Sequence, residues 1–124
     1  MAESYRDLLV WQRSIELSMT IYRLTQGFPK EELFGLTSQV RRAGVSVASN
    51  IADGRGRLNP GEFRQFLGIA LGSTFEIQTQ LLVARRMEMG TEKALGEAAA
   101  LSDQVSKMLT SFIQTLSSKP KAKS

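Results

Sequence analysis

From Leu33 to Ile51 the apolar residues recur at the period of an α-helix. Leu33, Leu36, Val40, Ala43, Val47 and Ile51 fall on one narrow stripe at about 100° per residue. A run with this period makes an amphipathic helix that faces a core. Beside the stripe, Gln39, Arg42, Ser46, Asn50 and Asp53 form a polar row in place of the Lys/Glu mixture of a merely solvated face. Such a row is expected to make hydrogen bonds within the protein or between its copies. Further round, Phe34, Val45, Ala48 and Ala52 add a second, weakly apolar edge. The helix therefore offers more apolar surface than one partner layer covers, a first pointer to an oligomer.

The flanking segments repeat the pattern. Leu8, Trp11, Ile15, Met19 and Tyr22 make the main stripe of a first helix running to about Thr25, and Val10, Leu17, Ile21 and Leu24 make a second. Met1 to Arg6 read as frayed, with Ser4 or Asp7 placed to cap this helix. Gly27-Phe28-Pro29 stops it, because the residue before proline is driven out of the helical region. Pro29-Lys30-Glu31-Glu32 then opens the second helix, which Gly54-Arg55-Gly56-Arg57 ends. Asn59-Pro60-Gly61-Glu62 is a strong start signal: Asn as N-cap, Pro at the first helical position, Glu three residues after the cap. The third helix runs to about Met89, with Phe63, Phe66, Leu67, Ala70, Thr74, Ile77, Leu81 and Ala84 on its core side. Gly68 and Gly72, four apart with Phe75 beside them, clear a groove for another helix and mark an expected oligomer interface. After Gly90-Thr91, a fourth helix carries Leu95, Ala98, Leu101, Val105, Met108, Leu109, Phe112 and Leu116. The fold class is all-α, an antiparallel up-and-down four-helix bundle over residues 1–117, with a disordered basic tail over 118–124.

The 124 residues make one domain. MAESYRDL has no signal-peptide pattern and no apolar run approaches the roughly 18 residues of a membrane span, so the expected setting is the cytoplasm. With no His and no Cys, the usual general base, metal ligands and thiol chemistry are missing, and neither a metal nor a cofactor is expected. Nothing points to a small-molecule substrate. Glu76, the lone acid in the middle of the third helix, reads as a partner for Arg42 or another polar-row residue in preference to a catalytic carboxylate. Gln39, Arg42, Ser46, Asn50 and Glu76 are thus the candidate polar network. Ser46 and Ser73 read as small helix-packing residues.

Of the net charge of +4, the tail lysines Lys119, Lys121 and Lys123 carry three units. The remaining excess lies in one segment, where Arg41, Arg42, Arg55, Arg57 and Arg64 oppose Asp53 and Glu62. Arg55, Arg57, Arg64 and Arg41 are the candidate nucleic-acid contacts, aided by free N–H groups at the start of the third helix. The bland alternative is an arginine-rich solvated turn with local ion pairs. Gly54-x-Gly56 lacks the preceding strand of a dinucleotide fingerprint.

Particular residues add a resemblance: Trp11, Phe28-Pro29-Lys30-Glu31-Glu32, Gly35-Leu36-Thr37-Ser38-Gln39, Arg41-Arg42-Ala43, Ser46, Asn50-Ile51-Ala52-Asp53-Gly54, and Ala70-Leu71-Gly72-Ser73 with Glu76 and Leu81. The chain resembles, over about residues 5–116, the bacterial four-helix-bundle proteins of the 23S rRNA intervening-sequence family. Asp53 stands where that family usually has Glu, and Val47-Ala48 where Ile-Pro is frequent. The resemblance implies a ring of five subunits without enzymatic activity. It also implies distant kinship with the accessory protein of diversity-generating retroelements, a basic pentameric bundle that binds nucleic acid and a reverse transcriptase. Two functions follow as expectations: a non-enzymatic scaffold binding RNA or DNA through basic interhelical turns, or an adaptor binding a partner protein through apolar helix faces.

Overall fold

Four α-helices follow one another: α1 (Leu9–Thr25), α2 (Leu36–Arg55), α3 (Pro60–Arg86) and α4 (Glu92–Ser118), with 3-10 turns at Tyr5–Asp7 and Lys30–Glu32. The computed structural model describes residues 4–118. α2 packs most extensively on α3, and α3 on α4, α1 on α2 and α1 on α4 close the circuit. With such short connections, successive helices run antiparallel, the up-and-down bundle expected of the pattern. The centre is filled by Leu17, Ile21, Val40, Val47, Ile51, Leu67, Ile77, Val105 and Leu109, each essentially inaccessible to solvent.

The start of α3 is as read from the sequence. The Asn59 side chain accepts a hydrogen bond from the Glu62 N–H at 3.0 Å, and Pro60 takes the first helical position. Thr91 caps α4 in the same way, its hydroxyl accepting from the Ala94 N–H at 3.1 Å. Before it, Gly90 has φ +81°, and a Cβ there would lie 2.9 Å from Leu24 Cδ1. Both its conformation and its neighbours require glycine.

Several expectations change. In α1 the ranking of the two stripes is reversed: Val10, Leu17, Ile21 and Leu24 are buried, whereas Met19 and Tyr22 of the supposed main stripe are exposed. Both stripes have helical period, so periodicity alone does not rank them; the Leu17/Ile21 side faces the other helices. The chain from Ser4 is ordered, with the Ser4 hydroxyl capping the Tyr5–Asp7 turn by accepting from the Arg6 N–H at 3.1 Å. α1 itself starts at Leu9, with Leu8 in the N-cap position and no side-chain cap. Pro29 to Glu32 opens only a 3-10 turn, and α2 begins at Leu36. Leu33 therefore leaves the core stripe, and Phe34 stands 93% exposed. α3 ends at Arg86, after which Met89 folds back and is buried, its N–H donating to the Ala84 carbonyl at 2.8 Å. α4 is described as far as Ser118, and the rest of the expected tail, 119–124, lies outside the described residues.

The close approaches within the chain fall at other glycines than the expected interface pair. A Cβ on Gly54, inside the last turn of α2, would sit 2.6 Å from Phe66 Cβ, so α2 and α3 touch there through bare backbone. Gly44 does the same toward α1, where a Cβ would meet Ile21 Cδ1 at 3.0 Å. Gly68 and Gly72, the expected close-approach pair, have nothing within 4 Å. They sit on the outward face of α3, beside exposed Phe75, Leu82 and Val83. Apolar residues on both faces of α3 also explain why this helix is long and apolar enough to cross a membrane by length and hydropathy, although its inner face packs in the bundle.

Gly54→Ala is expected to lower stability by about 1–2 kcal/mol, overpacking outweighing the gain in helix propensity. Within the single chain Gly68 meets nothing, so at concentrations too low for assembly Gly68→Ala should instead raise the stability of the bundle by up to about 1 kcal/mol through helix propensity alone. Urea unfolding of the two variants beside the unaltered chain checks the opposite signs.

Candidate nucleic-acid interface

The connection between α2 and α3 gathers three of the four arginines singled out in the sequence. Arg55 is in the last turn of α2, partly buried, with its guanidinium carbon 5.9 Å from the centre of the Phe63 ring. Arg57 lies 4.7 Å over Phe66 and reaches the Asp53 carboxylate at 3.4 Å. Arg64, one turn into α3, is exposed and makes no ion pair among the described residues. The two phenylalanines that hold Arg55 and Arg57 are the same ones that pack at Gly54, so helix packing sets where these cations stand. Leu58 completes the turn at φ +59° and is 85% exposed.

Arg41 belongs elsewhere. Fourteen residues earlier on α2, it lies roughly 21 Å from Arg55 along the helix axis at 1.5 Å per residue. Its Nε donates to Thr25 Oγ1 at 2.8 Å, and its guanidinium covers the Tyr22 ring at 4.5 Å. The basic segment of the sequence thus divides into two groups. The α2–α3 end retains Arg55, Arg57 and Arg64 against Asp53 and Glu62, a net of +1. The Asn59 side chain occupies one of the N–H groups at the start of α3, which reduces what is left there for an anion.

The end of α4 and the turn before α1 lie toward the same end of the bundle. Phe63 at the start of α3 meets Phe112 near the end of α4 edge-on at 5.3 Å, which brings the α4 terminus to the same end. Arg6, in the turn before α1, donates from Nε to the Tyr5 hydroxyl at 3.4 Å. This bond, with the negative charge Tyr5 carries once its hydroxyl is ionised, pushes the guanidinium pKa further up.

Of the proposed polar network, one chain joins only part. Ser46 and Ser73 hydroxyls lie 3.0 Å apart across α2 and α3, and Asn50 Nδ2 donates to the Ser46 carbonyl at 2.8 Å and its hydroxyl at 3.0 Å. Ser73 was legible in the sequence as a small packing residue, but its partnership with Ser46 was not. Arg42 is exposed and makes a single long contact, donating to Ser38 Oγ at 3.5 Å. Gln39 and Glu76 are exposed and line an open groove between α2 and α3 with Leu36, Gly72, Phe75 and Gln80. Arg42 and Glu76 do not pair with each other, nor with any other charged group among the described residues. The Gln80 Oε1 is buried there without a hydrogen-bond partner. Among the described residues no group of three or more acidic side chains comes together in a way that would hold a metal ion.

These features define an antiparallel four-helix bundle with an arginine-bearing turn and open apolar seams. Residues 6–111 match the model of the 23S rRNA-intervening sequence protein family, and the chain belongs to that family, in agreement with the resemblance read from its motifs. It is not a known enzyme family. Among solved structures, the chain is similar to a protein of unknown function from the S23 ribosomal protein family of Bacteroides thetaiotaomicron. The identity is 26%, the coverage 86% of this chain and 96% of that one, and the TM-score 0.78. Comparison with curated proteins gave no match.

Ser46→Ala removes the oxygen shared by Asn50 and Ser73 and should cost about 1 kcal/mol. Arg42→Ala is expected to stay within about 0.5 kcal/mol of the unaltered chain, because the guanidinium is solvated. Chemical unfolding of both variants, monitored by helical circular dichroism, measures the difference.

Proposed function

We propose that this protein is a non-enzymatic cytoplasmic scaffold that binds nucleic-acid backbone at the α2–α3 end of its bundle and presents that end repeatedly in a ring of identical subunits. The observation that carries the reading is the mounting of Arg55 and Arg57 over Phe63 and Phe66 beside exposed Arg64. Cations held by packing lose less side-chain freedom on meeting phosphate than free ones do. The α4 terminus, Ser118, lies toward the same end, and Lys119, Lys121 and Lys123 follow it in sequence. The family name supports RNA as the nucleic acid. One turn of this kind binds weakly, so repetition around a ring supplies the affinity.

The outward face of α3 supports assembly. Gly68 and Gly72 leave a hollow beside Phe75, half of whose surface is exposed, and the partnerless Gln80 Oε1 lies in the adjoining groove. A second copy seated there would cover the apolar surface and supply a hydrogen-bond donor. Five copies is the number the family resemblance implies. The same exposed apolar surface favours the second reading, an adaptor for a partner protein.

Arg57→Glu/Arg64→Glu should abolish most RNA affinity at ~100 mM salt while leaving helicity and particle size unchanged. The unaltered protein should bind with little sequence preference, its affinity falling steeply as salt rises. Fluorescence anisotropy with a labelled RNA duplex measures both. If the double variant binds as well as the parent, or the parent does not bind, the adaptor reading replaces this one. Light scattering is expected to give an oligomer at micromolar concentration, and a monomer there would remove the ring.

A further inference from the structure

Arg41, separated by the fold from the α2–α3 turn, is held by a hydroxyl and an aromatic ring. It is partly buried, yet its Nε is bound to a neutral hydroxyl and no carboxylate among the described residues pairs with it. The hydroxyl is itself anchored: Thr25 is buried, and its Oγ1 donates to the Ile21 carbonyl at 2.8 Å. With Tyr22 beneath it at 4.5 Å, the guanidinium is held on two sides. A cation is costly to bury partly without a counterion, and holding it in one position orders it before any anion arrives.

Its surroundings complete a site. Arg41 and Arg42 line an open groove of about 610 Å³ with Tyr22, Phe34, Ser38 and Ser46, and no acidic side chain among the described residues lines it. At its rim Phe34 is 93% exposed, though an aromatic ring is among the least favourable groups to leave in water. The chemistry is that of two guanidiniums without a carboxylate partner beside a free aromatic face. Phosphates meet the first and an unstacked base meets the second, the combination by which proteins hold single strands.

We infer that the Tyr22–Phe34–Arg41–Arg42 groove is a second nucleic-acid site, specific for single-stranded segments, in which a base stacks on Phe34 and the adjoining phosphate is bound by Arg41 and Arg42. The inference rests on the nucleic-acid reading above but assigns different chemistry to the two ends of α2. The α2–α3 turn meets phosphate whether the nucleic acid is paired or not. The groove requires a base free of its own stack, because a duplex keeps its base faces covered.

The test uses the full chain, a labelled 12-nucleotide oligo(U) RNA and a 12-base-pair RNA duplex, each titrated at several salt concentrations. Phe34→Ala, at a solvated position, should weaken oligo(U) binding roughly tenfold or more while leaving its salt dependence and the duplex affinity unchanged. Arg41→Gln/Arg42→Gln should weaken oligo(U) binding and reduce the magnitude of its log–log salt slope by about 0.7 for each phosphate that is no longer neutralised. Arg57→Glu/Arg64→Glu should lower binding of both RNAs. If Phe34→Ala binds oligo(U) like the parent, or loses oligo(U) and duplex equally, the groove assignment is overturned while the turn site stands. If the turn variant loses duplex binding and keeps the Phe34-dependent binding of oligo(U), the groove stands apart from the turn. A parent that binds neither RNA overturns both assignments. A Glu- and Phe-rich peptide that binds in a Phe34-dependent manner and is not displaced by oligo(U) overturns this one in favour of a protein ligand.

Discussion

The bundle depends on how closely α2 approaches α3. At Gly54 the two helices meet with no room for a side chain, and the ring of Phe66 lies against the bare backbone. From that point the helices continue as neighbours along Ile51, Val47 and Val40 on one side and Leu67, Ala70 and Ile77 on the other, all buried. The Ser46–Ser73 hydrogen bond lies further along the same seam, where two small residues let hydroxyls meet across helices without opening a cavity. Since Phe63 and Phe66 are part of this packing and also lie under Arg55 and Arg57, the contact that orders the fold also orders the cations of its end.

Helical periodicity leaves a choice that only packing resolves. A helix with two apolar stripes can turn only one of them to the centre of a four-helix bundle, and the other lies at least partly at the surface. In α1 the buried stripe is the one with Leu17 and Ile21, and Met19 and Tyr22 go outward. In α3, Phe75, Leu82 and Val83 go outward with Gly68 and Gly72. The resulting surface carries more large apolar side chains than a solvated monomer needs, and this supports assembly or a partner. Tyr22 shows a second use for such a residue, as the platform that orients Arg41.

Helix geometry also disperses charges that look clustered in the sequence. Arg41 and Arg42 border the same groove, but both lie about 21 Å along α2 from Arg55, so the basic segment of the sequence is split between the two ends of that helix. Arg57 is adjacent in sequence to nothing acidic, yet it reaches Asp53 one helical turn back. A charge count over a segment therefore overstates the local field when the segment is a long helix.

The sequence by itself determined the four helices, most of their boundaries and the family. These follow from local physics: capping at Asn59, the obstruction before Pro29, and apolar residues at helical period. Motifs such as Arg41-Arg42-Ala43 and Asn50-Ile51-Ala52-Asp53-Gly54 sit within single elements and are legible without a fold. The arginines of the candidate site were legible as residue types, but their grouping was not, because it depends on the register of α1, α2 and α3. Only the tertiary structure decided which stripe of α1 is core, that Gly54 and not Gly68 or Gly72 marks a close approach within the chain, and that Phe34 stands free in solvent. Each of these is a property of what lies opposite a residue in space, and a residue's neighbours across a helix seam are far from it in sequence.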